Sequence, residues 1–341
     1  MLSGAVPIAE IWRGPLAESE HAGHVVVAGP DGGTIAALGA PGTVVLPRSS
    51  AKMIQALPLV MSGAADEAAL TDRHLALACA SHEGAPLHVG AVADWLSGLG
   101  LSEADLRCGT QPSRDKELKL EMIRRGEAPS QLHNNCSGKH AGFLTLNRRL
   151  GGGSEYQEPD HPVQKAALDA FEEATGASSP GFGIDGCSAP NFAASMEGMA
   201  RAMSVFATAH TRDDTFSRAA ARLVQAMISH PVEVAGEGRA CTLLMQAAQE
   251  PAALKFGAEG FFVAILPERG LGIAVKVADG ATRAAESAIA AVLVGLGVLD
   301  ERHPDVQRFM APEIVNRRGL VTGEIRPAPA LAQLGAKSAR A

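Results

Sequence analysis

The sequence predicts an α/β fold: a mainly antiparallel sheet built from N- and C-terminal strands, flanked by helices, with an inserted helical lobe. Three observations predict it. Strand patterns lie at both ends of the chain, and hairpin signals rather than βαβ crossovers join them. Helical patterns fill the middle. Apolar residues make up 46% of the 341 residues, enough to bury a core and too many for a disordered chain.

The elements follow in order. His24 to Ala28 and Thr34 to Leu38 are apolar runs flanking Pro30-Asp31-Gly32-Gly33, and Asp-Gly between apolar runs signals a hairpin. Val44 to Leu46 reads as a short strand. Ala51 to Met61 reads as a helix, with Ser49 and Ser50 in place to cap it. Further helical patterns cover 74–80, 86–99, 113–125, 139–149, 162–175, 191–207, 213–229 and 239–249. Gly176 to Pro190 is rich in Gly, Ser and Pro and reads as irregular. Gly260 to Leu266 and Gly272 to Val277 form a second hairpin, and Ala281 to Leu299 a long Ala-rich helix. This gives a single domain over 1–326, with a sheet lobe of about 1–50 plus 250–300 and a helical lobe of about 51–249. Residues 327–341 are expected to be a mobile tail.

Composition excludes several function classes. The net charge is −7, and aromatics number 10 Phe, 2 Trp and 1 Tyr. Neither a basic field nor a stacking platform for nucleic acid is present. The longest apolar stretch, Ala288 to Leu299, falls short of the roughly 20 residues that span a bilayer. The N-terminus lacks the pattern of a secretory signal. A soluble, cytoplasmic protein with no nucleic-acid or membrane partner is expected. Five widely spaced cysteines argue for thiols or metal ligands rather than a disulfide framework.

Five segments carry candidate chemistry. In Arg48-Ser49-Ser50-Ala51-Lys52, Ser49 and Lys52 are three apart and share a helix face. A serine needs a base to become a nucleophile, and a neutral lysine can serve. This Ser-x-x-Lys spacing occurs in acyl-transfer enzymes. Ser81-His82-Glu83-Gly84 reads as a polar rim. His133 to His140 (H-N-N-C-S-G-K-H) offers Asn134 and Asn135 as donors to an oxyanion or carboxylate, and Cys136 with His140 or Lys139 as metal ligands. Cys187, in G-I-D-G-C, is a candidate partner for Cys136, and Asp185 a candidate anchor for a substrate ammonium. Lys255-Phe256-Gly257 leads into a strand, like the Lys-Thr-Gly that accompanies Ser-x-x-Lys in penicillin-recognising enzymes. Gly32-Gly33-Thr34-Ile35-Ala36 mimics a threonine-nucleophile element, but Thr34 lies inside a hairpin and reads as a strand residue.

Together P-R-S-S-A-K (47–52), S-H-E-G (81–84) with His88, C-G-T-Q-P (108–112), H-N-N-C-S-G-K-H-A-G (133–142), G-I-D-G-C (183–187), G-E-G-R (236–239) and K-x-G-A-E-G (255–260) resemble the asparaginase II family, the Rhizobium etli-type L-asparaginases. The resemblance spans roughly Val6 to Leu299. It implies a fold like that of serine β-lactamases and serine glutaminases, and hydrolysis of L-asparagine to L-aspartate and ammonia. It implies two Ser–Lys pairs: Ser49 as nucleophile with Lys52, and Ser81 with Lys255. It implies a zinc ion held by Cys136, Lys139 and Cys187, a substrate pocket with Arg48, Asn135, His140 and Asp185, and a homodimer. Phe256 departs from the small residue more usual in the family. Lys276, in V-K-V-A-D-G, is a second candidate partner for Ser81. Other functions compatible with the same residues are a serine glutaminase, a β-lactamase-like amidase, or a non-catalytic zinc-dependent amino-acid-binding protein. A lysine base must lose its proton, so activity is expected to increase toward alkaline pH.

Overall fold

The structure is a computed structural model, and it describes residues 3–338. Eight strands form one antiparallel sheet: β1 (Val6–Arg13), β2 (Leu16–Ala28), β3 (Thr34–Leu38), β4 (Ala253–Gly257), β5 (Phe261–Leu266), β6 (Leu271–Val277), β7 (Glu313–Val315) and β8 (Val321–Pro327). The order is β7-β8-β1-β2-β6-β5-β4, with β3 also paired to β2. Strands from both ends of the chain therefore meet, as the hairpin signals predict. The 13-residue β2 makes this possible. Its first half pairs with β1, and its second half pairs with β3 on that side and β6 on the other. The Asp31-Gly32 turn closes as expected, with Gly29 N–H donating to Gly33 C=O at 2.8 Å.

Every residue of β5 and β6 is buried, so both sheet faces are covered. The helix Met196–Ala207 packs on β2, β5 and β6, and the helix Thr282–Gly295 on β1, β5, β6 and β8. Between β3 and β4 the chain builds the helical lobe. Pro162–Thr175 matches its expected bounds, Pro86–Gly98 ends one residue short, and Lys116–Arg125 starts three residues late because Asp115 caps it, accepting from the N–H groups of Glu117 and Leu118.

Four expectations change. The segment Val44–Val45 joins no main-sheet strand but pairs with Ala194–Ser195. The helix expected over 51–61 is broken into Lys52–Gln55 and Leu57–Met61, preceded by a 3₁₀ turn Arg48–Ala51. Pro58 has no N–H to continue the ladder, and Ser50 does not cap but donates its hydroxyl to Lys255 C=O at 3.1 Å. Within the segment read as irregular, Phe182–Ile184 pairs with Pro190–Phe192. The tail expected from residue 327 is instead part of the fold up to residue 338. Pro327 pairs with Ala9, and the helix Pro329–Ser338 buries Leu331 and Leu334 against the helix Thr282–Gly295. The Pro-Ala-rich composition hid an amphipathic turn. Residues 339–341 lie outside the described residues.

Candidate active site

Close backbone contacts bring the candidate segments together. Gly257 ends β4 beside the Arg48–Ala51 turn, where a Cβ would meet Pro47 C=O at 2.6 Å and Ser50 Oγ at 2.7 Å. The third residue of Lys-Phe-Gly must therefore lack a side chain for Lys255 and the serines to share one place. Gly138 does the same for the helix Ser137–Leu150, since its Cβ would meet Leu77 C=O at 2.4 Å. That approach sets Asn135 and Cys136 beside Ala80 and Ser81. Asn134 fixes the turn, donating to Cys108 and Gly109 C=O at 2.9 and 3.0 Å and accepting from Cys136 N–H at 2.9 Å.

The centre is Ser81 between two buried lysines. Lys255 Nζ lies 2.6 Å from Ser81 Oγ and donates to Phe256 C=O at 2.7 Å. Lys52 Nζ lies 3.1 Å from Ser81 Oγ and also donates to Ala80 C=O at 2.5 Å and Asn135 C=O at 3.3 Å. Both lysines are 1% exposed. Burial, and then the charge of Lys52, lowers the Lys255 pKa to about 7. A large fraction of Lys255 is therefore neutral near pH 7, with a lone pair available to Ser81. Three acceptors surround the Lys52 amine, matching the three N–H bonds of an ammonium, which has no lone pair.

Ser49 differs from expectation in one respect. It is largely buried, at 9% exposure, but its hydroxyl makes no hydrogen bond to Lys52 or to any other group among the described residues. The Lys52 amine turns to Ser81 instead. Lys276 does not reach Ser81: its amine donates to Glu259 and Val277 C=O at 2.5 and 2.6 Å. The hydrogen-bonding partner of Ser81 on the β4–β6 side is thus Lys255.

Arg48, just before Ser49, has φ +54°, a left-handed backbone that costs a non-glycine residue on the order of 1 kcal/mol or more. Two contacts hold it there. Its N–H donates to Asn191 Oδ1 at 3.1 Å, and its guanidinium donates twice to Asp185 Oδ1, at 3.0 and 2.7 Å. Burial pushes the Asp185 pKa up, but Arg48 and Lys139 outweigh it and the carboxyl is held low. Asp185 Oδ2 accepts no hydrogen bond among the described residues.

A second cluster lies at the start of the helix Ser137–Leu150. Lys139 Nζ donates to Cys187 Sγ at 3.1 Å, and the Cys136 thiol, which donates to Asn135 Oδ1 at 3.4 Å, lies close enough to act on Cys187. Hydrogen bonding from Cys136 drives the Cys187 thiol well below its ordinary pKa, even against burial. The five cysteines form no disulfide. His140 does not join this cluster. Its Nδ1 meets Tyr156 Oη at 2.9 Å and its Nε2 is buried without a partner among the described residues. No group of three His, Cys, Asp or Glu converges as a metal site among the described residues. The zinc expectation therefore rests on Lys139. Two thiols and an amine within hydrogen-bond reach, unlinked by a disulfide, fit the soft S/N preference of zinc, provided the amine gives up its proton.

Reading the sequence missed several groups at Ser81. Arg114, Cys241 and Glu286 line a small cavity with Arg239, Ser81, Lys255 and Phe256. Only Arg239, in G-E-G-R, stood in a motif. His82, the next residue, is itself pinned: its Nδ1 accepts from Gly84 N–H at 3.1 Å and its Nε2 meets Ser137 Oγ at 2.9 Å. It stacks on His88 with ring centroids 4.8 Å apart.

The sequence profile of the L-asparaginase II family matches residues 9–327. A comparison with curated proteins returns no match. Among solved structures, Mglu in its native form shares 15% identity over 77% of this chain and 61% of its own, with a TM-score of 0.40. This chain thus spans about three fifths of the length of Mglu. A beta-lactamase from Mycobacterium bovis shares 13% identity over 77% of this chain and 89% of its own, with a TM-score of 0.33. No helix among the described residues is long and apolar enough to cross a membrane. The chain belongs to the L-asparaginase II family.

Proposed function

We propose that this family member hydrolyses L-asparagine to L-aspartate and ammonia through a serine ester intermediate. The observation that carries the reading is the Ser81 hydroxyl held at 2.6 Å from Lys255, an amine whose pKa is lowered to about 7, and at 3.1 Å from Lys52. Lys255 is the base. It withdraws the Ser81 proton, and the Lys52 ammonium supports the negative charge that develops on oxygen. Ser49, whose hydroxyl is free of hydrogen bonds, attacks the side-chain amide carbon as its proton passes to the Ser81–Lys255 pair. The proton held by the Ser81–Lys255 pair passes to the departing nitrogen and ammonia leaves; water then attacks the Ser49 ester, releasing aspartate and returning a proton to the serine oxygen.

The substrate's ammonium group takes the free Oδ2 of Asp185, while Arg48, Asn135 and His140 line the pocket. Zinc bound by Cys136, Lys139 and Cys187 would add a fixed positive charge at the pocket wall. The enzyme is proposed to act as a homodimer, which sedimentation of the purified protein checks.

A second reading makes Ser81 itself the nucleophile, because both amines hydrogen-bond to Ser81 and neither to Ser49. One experiment tests both. The protein is treated with a diazoketone analogue of asparagine, and the adduct is mapped by mass spectrometry alongside ammonia release by wild type, Ser49→Ala and Ser81→Ala. An adduct on Ser49 supports the first reading, and one on Ser81 the second. Full ammonia release by both variants overturns serine catalysis. Assays with glutamine and a chromogenic β-lactam separate asparaginase from glutaminase and lactamase activity, and asparagine binding without ammonia release would instead identify a binding protein.

A further inference from the structure

Arg48, the one cation of the proposed pocket's guanidinium type, is already committed to Asp185 at 2.7 Å. An asparagine docked through Asp185 therefore finds Arg48 engaged through two of its five N–H donors and meets no fully free guanidinium there. Two arginines near Ser81 have no such commitment. Arg114 and Arg239 both line the small cavity that also touches Ser81 and Lys255. Neither guanidinium makes a hydrogen bond or ion pair with any described residue, although the Arg114 backbone N–H is fixed to Glu83 C=O at 2.7 Å.

The two guanidinium groups are close enough to feel one another. Desolvation and then Arg239 lower the Arg114 pKa, although Arg114 remains exposed to solvent and Arg239 half-buried, and Arg114 also contributes to the lowering at Lys255. Two guanidinium groups and the Lys255 amine thus surround one space, with a single carboxyl, Glu286, in its wall. Burial pushes the Glu286 pKa up, while Arg239 and Arg308 pull it back. Glu83 also approaches Arg239, but its carboxylate accepts from Glu237 N–H at 3.1 Å rather than from the guanidinium. The cavity is about 20 Å³, room for one water-sized group. It has room for one oxygen of a carboxylate rather than for a whole amino acid.

We propose that Arg114 and Arg239 form the carboxylate-recognition site of the enzyme, accepting the α-carboxylate of the amide substrate beside Ser81 and Lys255. The inference rests on the reading of the chain as an amino-acid amidohydrolase and deepens it: the substrate class becomes amides that carry a free carboxylate. Guanidinium groups suit this task because their N–H donors form a rigid planar fork that matches a carboxylate. Site occupancy also adds a negative charge near Lys255, which favours the protonated amine. Binding and the acid limb of the pH profile are therefore linked.

The test compares L-asparagine with L-asparaginamide, which keeps the side-chain amide and ammonium but lacks the carboxylate. Wild-type kcat/KM is expected to favour asparagine by about tenfold to a hundredfold, the range for a lost hydrogen bond to a charged group. In Arg239→Gln and in Arg114→Gln that preference is expected to collapse, chiefly through a higher KM for asparagine, and Arg239→Lys is expected to restore part of it. An undiminished preference in both glutamine variants, or an equal loss on the two substrates, overturns the inference. L-Aspartate binding by calorimetry separates this result from the function itself. If wild type releases no ammonia yet binds aspartate, and Arg239→Gln does not, the arginine site stands while the asparaginase reading falls. If the wild type neither turns over nor binds, both fall.

Discussion

Two lysines of this protein, Lys255 and Lys139, have nearly the same surroundings by size and opposite ones by charge. Both are almost wholly buried, at 1% and 3% exposure. Each amine sits within hydrogen-bond reach of one protic side chain, Ser81 at 2.6 Å or Cys187 at 3.1 Å. Burial alone would strip the proton from both. At Lys255 the next neighbour is another cation, Lys52, and the pKa is lowered to about 7. At Lys139 burial also acts downward, but the Cys187 and Cys136 sulfurs outweigh it and the pKa is raised. Burial pulls both amines toward the neutral form; at Lys255 a second cation adds to it, and at Lys139 the neighbouring sulfurs reverse it.

The largest test of that contrast removes the base. Lys255→Met is expected to lower kcat/KM for asparagine by about 10²–10⁴-fold, the usual worth of a general base, measured as ammonia release. The same substitution is expected to raise the melting temperature at pH 6. The folded pKa of about 7 lies below the unfolded value of about 10.4. Below pH 7 the fold carries the full cost of burying the charge, and that cost fades as pH rises through the window from 7 to 10.4. The gain in melting temperature is therefore expected to shrink toward pH 10.

Removing the anion from the other lysine should act in the opposite direction. Cys187→Ala leaves Lys139 buried with its main partner gone and is expected to cost about 3 kcal/mol of stability, read from urea unfolding. Next in size is the pH profile of the wild type. The neutral amine is the active form, so kcat/KM is expected to fall about tenfold per pH unit below 7 and to level off above pH 8. A limb centred near 10 would break the contrast. The smallest effect is expected from zinc, which should raise the melting temperature of metal-free wild type by a few degrees and leave Cys187→Ala unmoved.

The sheet was legible because its strands are bounded by turn chemistry. Asp31-Gly32 and the Gly270 turn each close a hairpin of apolar runs, and β5 and β6 appear within one residue of their expected bounds. Strands β7 and β8 were not. They carry exposed residues such as Val315 and Val321, and β1, which pairs with β8, lies at the far end of the chain. No local pattern marks such a pairing. In the candidate site, the motifs brought Ser81, Lys255, Cys136, Lys139 and Cys187 to notice as separate segments. Which hydroxyl each amine faces depends on the backbone approaches that Gly257 and Gly138 permit, and spacing says nothing of those. Ser49 and Lys52 share a face by spacing, yet carbonyls of Ala80 and Asn135, both distant in sequence, draw the amine away. Arg114 and Glu286 stand in no motif at all.

The register that pairs Ile11 with Ile325 has a consequence for how the molecule is made. A ribosome delivers β1 and β2 first, and the open edge of β1 stays unpaired until residues 321–327 have been synthesised. The nascent chain must carry an unsatisfied strand edge through almost its whole synthesis, a state that invites pairing with other chains. Chaperone demand and inclusion-body formation are therefore properties to expect of shortened versions that stop before β8, even though every active-site residue would be present in them.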